Sequence, residues 1–151
     1  MGLPDSVDRR RVSEDEKMDP AVPRRLSVLI VDDIEEIRRL YAQYFGVHGI
    51  AVTTAADGVQ ALAAVLRGRP DVIVLDMSLP KLSGWEMLEK LRADPQTRGI
   101  PVIVLTGCLF PGSQSDAYRA GADSYLIKPC APDVLLTEII RLTGGPAPSQ
   151  A

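Results

Sequence analysis

The sequence predicts an α/β fold, a doubly wound sheet of five parallel strands with helices on both faces. Three observations carry this expectation. Short apolar runs rich in β-branched residues, at 26–31, 72–75 and 102–105, show no polar alternation, which marks strands buried on both faces. Segments with apolar residues at helical spacing separate the runs, so strand and helix alternate along the chain. Four runs also end on polar groups: Asp32-Asp33, Asp76, Thr106 and Lys128-Pro129. In open parallel sheets the carboxyl ends of strands are where ligands bind.

Taken in order, residues 26–31 form strand one. Ile34, Ile37, Leu40, Tyr41 and Tyr44 then recur at the spacing of an amphipathic helix, with Glu35 one turn ahead of Arg39 as a favourable surface pair. Residues 51–55 are a weaker second strand. Ala61, Leu62, Val65 and Leu66 mark helix two, ended by Gly68 and Pro70. Strand three is 72–75. Helix three spans about 83–93, with Trp85, Leu88 and Leu91 facing the core. Strand four is 102–105. Helix four, about 113–120, is short and poor in large apolar residues, and so the least anchored. Strand five is 125–127, and helix five follows Pro132 with Val134, Leu135, Ile139, Ile140 and Leu142 available for burial. Right-handed crossovers place these helices on both sides of the sheet.

Length and composition set limits. A chain of 151 residues has room for one domain with a full core. Residues 1–25 read as a disordered N-terminal extension, of mixed charge and with Pro4, Pro20 and Pro23; residues 26–144 read as the folded domain and 145–151 as a flexible tail. A net charge of -3 gives no basic footprint, so neither nucleic acid nor a membrane surface is an expected partner. No apolar stretch approaches a membrane span, and the first residues are too polar for a signal peptide. Two cysteines, at no metal-ligand spacing, suggest a reducing cytoplasm.

If the strands lie side by side, Asp32, Asp33, Asp76, Thr106 and Lys128 meet at one edge. At about 6 Å and an effective dielectric near 20, each pair of carboxylates costs roughly 3 kcal/mol. Such crowding is a poor choice for stability alone, and a divalent cation reverses its sign; Mg²⁺ suits carboxylates, a carbonyl, waters and a phosphate oxygen. The bland alternative makes Asp32 and Asp33 the N-cap and first-turn acid of helix one, but it leaves Asp76 and Lys128 without a role. A carboxylate at position 76 can attack phosphorus to form an acyl phosphate, with Lys128 supplying positive charge and Thr106 a hydroxyl donor.

Over about residues 25–144 the chain resembles the receiver domain of bacterial two-component response regulators. The matching pieces are Val31-Asp32-Asp33, Asp76-Met77-Ser78-Leu79-Pro80 with Gly84, Thr106, and Lys128-Pro129. The resemblance implies a flavodoxin-like sheet in the order 2-1-3-4-5. It implies that Asp76 is the phosphoacceptor. Asp33, Asp76 and the Ser78 carbonyl would bind Mg²⁺ directly, and Asp32 through water. It further implies a cis peptide before Pro129, with the Lys128 amine directed toward Asp76. Thr106 and Tyr125 would form the switch, reshaping the face of helix four, strand five and helix five.

The expected donor is a histidine kinase or a histidine phosphotransfer protein, and the expected output is binding to a downstream protein or onward phosphoryl transfer. With no output domain visible in the sequence, a stand-alone regulator is expected, either monomeric or weakly dimeric, that catalyses only its own phosphorylation and dephosphorylation. Rivals fare worse. A phosphohydrolase with an aspartyl nucleophile needs a second acid at the position held by Ser78. A nucleotide or flavin binder needs a Gly-rich or hydroxyl-rich loop where Asp32-Asp33-Ile34-Glu35-Glu36 stands. A phosphorylation-independent interaction module usually lacks a site residue, and none is missing here.

Several features fall outside this pattern. The apolar loop 108–112 is a candidate partner surface. Cys108 and Cys130 follow adjacent strand ends, and a regulatory disulfide competes with two idle thiols. His48 reads as a surface residue and Trp85 as a packing anchor. Arg9-Arg10-Arg11-Val12-Ser13 looks like a kinase substrate site within a stretch that is otherwise simply solvated.

Overall fold

Strands β1 (Ser27–Val31), β2 (Ala51–Ala55), β3 (Val72–Leu75), β4 (Val102–Thr106) and β5 (Ser124–Ile127) form one parallel sheet in the order β2-β1-β3-β4-β5. Helices α1 (Glu35–Val47), α2 (Gly58–Arg67), α3 (Gly84–Ala93), α4 (Ser113–Ala120) and α5 (Pro132–Thr143) connect them. The computed structural model describes residues 25–107 and 112–145. The fold is the flavodoxin-like one expected, with the strand order expected.

Successive side chains of a strand point to opposite faces, and that alternation divides the core in two. Leu29, Val31, Ile73, Leu75, Val102 and Val104 pack with Ala61 and Val65 of α2, Met87, Leu88 and Leu91 of α3, and Ala117 of α4. Val28, Ile30, Val72, Val74, Ile103 and Leu105 pack on the other face with Tyr41 and Phe45 of α1 and Leu135 and Ile139 of α5. This explains the unbroken apolar runs: β1, β3 and β4 have no solvent face. β2 is an edge strand with Thr53 and Thr54 exposed, which accounts for its weaker signal.

Helix ends follow from local chemistry. The Asp57 side chain accepts from the Gln60 amide at 2.8 Å and caps α2. Ser83 and Glu86 form a reciprocal capping box at the start of α3. Gly144, with φ +84, closes α5 in the left-handed conformation.

Three expectations about helices need correction. Of the stripe predicted for α1, Ile34 and Leu40 are exposed, whereas Phe45, absent from that stripe, is wholly buried. Leu66 of α2 and Val134 and Ile140 of α5 also face solvent, because each helix meets the sheet along a narrow stripe and its flanking apolar residues fall outside it. Capping of α1 by the acid pair is not seen: the N-cap position is Ile34, with no side-chain cap bond, and Asp32 instead accepts from the Ile34 amide at 2.9 Å. The Glu35–Arg39 pair is present at 2.8 Å, His48 is exposed, and Trp85 is half-buried against the core. The Arg9–Ser13 run and Cys108, like the N-terminal extension before Arg25, the apolar loop at 108–111 and the tail from 146, lie outside the described residues. Cys130 is a free thiol. Among the described residues no helix is long and apolar enough to cross a membrane.

Candidate functional site

The register of the sheet brings the site together. Val31 lies opposite Leu75, Leu75 opposite Val104, and Val104 opposite Tyr125, so the next residues of β1 and β3, Asp32 and Asp76, emerge at one level. Backbone bonds hold them there: the Asp32 amide donates to Ala55 at 3.1 Å and the Asp76 amide to Val31 at 3.0 Å. Thr106 ends β4 opposite Ile127, and its carbonyl accepts from the Lys128 amide at 3.0 Å.

The side chains converge as well. The Lys128 ammonium donates to Asp32 Oδ2 at 2.6 Å and to Asp76 Oδ2 at 3.0 Å. Asp76 Oδ1 accepts the Ser78 amide at 3.0 Å, which folds the β3–α3 loop back over the carboxylate. The Lys128-Pro129 peptide is cis. Asp32 and Asp76 are buried, as is Thr106, whereas Asp33 is exposed at the mouth.

The electrostatics reflect this crowding. Burial pushes the Asp76 carboxyl above its ordinary value, and the Ser78 amide and the Lys128 ammonium offset only part of that rise. Burial pulls Lys128 down, but hydrogen bonds and attraction from Asp32 and Asp76 more than compensate and raise it. One ammonium therefore serves two buried carboxylates with a third beside them. Asp32, Asp33 and Asp76 each offer an oxygen within 4.8 Å of the others. An all-oxygen set of three carboxylates suits a hard divalent cation such as Mg²⁺. Ser78 lies beside the cluster, held by the hydrogen bond that its backbone N–H donates to Asp76.

The β3–α3 loop is gripped at both ends. A Cβ on Gly84 would lie 2.5 Å from Met77 Cα and 2.6 Å from the Asp76 carbonyl oxygen, and one on Gly58 would lie 2.4 Å from the Leu82 carbonyl oxygen. Lys81, the one non-glycine residue with positive φ among those described, reaches the buried Asp57 at 3.4 Å. Tyr125 is half-buried, and its hydroxyl is 2.7 Å from Ser113 Oγ at the start of α4.

Three of these contacts had no counterpart in the sequence reading. Asp57–Lys81, Ser113–Tyr125 and a bond from the Tyr41 hydroxyl to the Cys130 carbonyl at 2.6 Å join segments distant in sequence. The only local signal was the pair Asp57-Gly58 at the start of α2, a capping residue followed by one without a Cβ.

The chain has known relatives in sequence and in fold. The family model described as "Response regulator receiver domain" matches residues 28–140. The response regulator PleD of Caulobacter vibrioides is 37% identical over 116 residues, covering 77% of this chain and 26% of PleD. The probable transcriptional regulatory protein TcrX of Mycobacterium tuberculosis is 37% identical over 122 residues, covering 79% of this chain and 51% of TcrX. The chain thus spans about a quarter to a half of the length of these curated relatives. Among solved structures, the chemotaxis protein CheY4 of Vibrio cholerae superposes with a TM-score of 0.74 at 34% identity, covering 79% of this chain and 99% of that one. The Francisella response regulator 1452 receiver domain superposes with a TM-score of 0.73 at 33% identity, covering 79% and 97%. With these matches added to its sheet order and strand-end acids, the chain belongs to the response regulator receiver domain family.

Proposed function

We propose that residues 26–144 form a phosphorylatable switch in which Asp76 accepts a phosphoryl group from the phosphohistidine of a histidine kinase or phosphotransfer protein. Receiver domains are signalling modules modified in this way, typically at an acidic pocket that binds Mg²⁺. One observation carries the assignment of residues: the Lys128 ammonium lies 2.6 Å from Asp32 and 3.0 Å from Asp76, across the strand ends.

In this reading an Asp76 oxygen attacks phosphorus and the N–P bond of the donor breaks. The imidazole nitrogen keeps that electron pair and takes up a proton. Lys128 passes from the carboxylate to the phosphoryl oxygens, and the Thr106 hydroxyl donates to another of them. Asp33, Asp76 and the Ser78 carbonyl would hold Mg²⁺ directly and Asp32 would hold it through water; the ion supplies charge neutralisation for the phosphoryl oxygens. Hydrolysis returns the carboxylate and releases inorganic phosphate, so the domain acts only on its own side chain. Tyr125 and Thr106 couple the modified site to the face of α4, β5 and α5, which binds a downstream protein or passes the phosphoryl group onward. The donor is charged from ATP, so this reading places the domain in the cytoplasm.

Incubation with acetyl phosphate tests the proposal. Intact mass is expected to rise by one phosphoryl group per chain when Mg²⁺ is present and not when it is chelated. Incorporation that ignores Mg²⁺, or none at all, would contradict it.

A further inference from the structure

We propose that Tyr41 is a positioning residue for Lys128: its hydroxyl fixes the β5–α5 loop so that the ammonium stands between Asp32 and Asp76. The inference rests on the reading that Lys128 meets the incoming phosphoryl group.

Lys128 has left the sheet. Its amide is tied to Thr106, but beyond it the chain runs through Pro129, Cys130 and Ala131 before α5 begins at Pro132. Within that loop the Cys130 carbonyl accepts the Tyr41 hydroxyl at 2.6 Å, a contact between residues 89 positions apart. Tyr41 is 4% exposed and the bond itself is partly buried, so losing it would cost the Cys130 carbonyl a partner at a site that water reaches only in part.

The donor is rigid. The Tyr41 ring stacks on Phe45, with centroids 5.9 Å apart and planes 12° from parallel, and Phe45 is wholly buried. Burial, with the neighbouring Cys130 next in weight, pushes the Tyr41 pKa up to about 12, so the hydroxyl keeps its proton throughout the range in which a histidine-to-aspartate transfer operates.

A second tie lies on the same face of α1. Arg38, three residues before Tyr41, donates from Nη1 to the Asp32 carbonyl at 2.8 Å. One helix therefore holds both the segment bearing Asp32 and the loop bearing Lys128, and the 2.6 Å separation between their charged groups is set across that helix. A hydroxyl serving only to satisfy a buried carbonyl would stabilise the fold without touching the chemistry. The two roles separate experimentally.

The test is a double-mutant cycle on the full chain, following the rate of phosphorylation by acetyl phosphate in Mg²⁺ by intact mass, well below each variant's melting temperature. Tyr41→Phe keeps the ring that stacks on Phe45 and removes only the oxygen. It is expected to slow phosphorylation about fivefold, the rate equivalent of one hydrogen bond, with the Mg²⁺ dependence of the rate unchanged. In a Lys128→Ala background, itself slow, the same substitution is expected to have no further effect. A wild-type rate for Tyr41→Phe, or an equal fivefold loss on top of Lys128→Ala, would overturn the positioning role. A wild-type rate for Lys128→Ala would overturn the reading beneath it, and the proposal with it.

Discussion

Asp76 occupies a position that costs the metal-free protein stability. The carboxylate is 5% exposed and shares the Lys128 ammonium with Asp32, and burial holds its pKa above the ordinary 3.8. A raised pKa means that the folded state favours the neutral acid, so stability is lost as pH rises from the ordinary value through the raised one. Asp76→Asn is therefore expected to raise the melting temperature by a few degrees at neutral pH with metal chelated. The gain is expected to vanish below about pH 4, where the acid is neutral in both states. Thermal melts of the two proteins across that range check both points. The residues of this cluster were legible because each stands at the end of an apolar strand, where a charge breaks the pattern. Tyr41 was legible only as one more apolar position on α1, since a hydrogen bond to a residue 89 positions away leaves no periodic trace.

Among the elements, the β3–α3 loop connects the sheet to the site. It carries Ser78, whose amide holds Asp76, and it is confined between Gly84 and Gly58. Gly84 begins α3, where a Cβ would ordinarily help the helix by about 1 kcal/mol. Here that Cβ would lie 2.5 Å from the Met77 backbone, and the backbone would have to move. Gly84→Ala is accordingly expected to destabilise the fold by about 1–3 kcal/mol, as overpacking does, and to slow phosphorylation of Asp76; urea unfolding and the acetyl phosphate assay measure the two effects. Helix positions were read less well than strands. Buried strands are apolar on both faces, so a run of Val, Ile and Leu marks them without further choice. A helix contacts the sheet along one stripe, and spacing alone did not separate buried Phe45 from exposed Leu40, or buried Ile139 from exposed Ile140.

For the whole molecule, one geometric fact links fold to function: parallel strands in register deliver their C-terminal residues to a common edge. Because β1 and β3 are adjacent, Asp32 and Asp76 become neighbours, and β4 and β5 bring Thr106 and Lys128 alongside. The strand order itself came from the resemblance of the motifs to a known family; periodicity gave the elements and their alternation but not their lateral sequence. The central claim is that Asp76 is the group this edge was assembled to phosphorylate. Borohydride reduction of the acetyl phosphate-treated protein, followed by peptide mass spectrometry, tests it most directly. The account predicts that Asp76 alone is converted to homoserine and that the Asp76→Asn variant yields no reduced residue. Reduction at Asp32, Asp33 or any other side chain, with Asp76 intact, would contradict it.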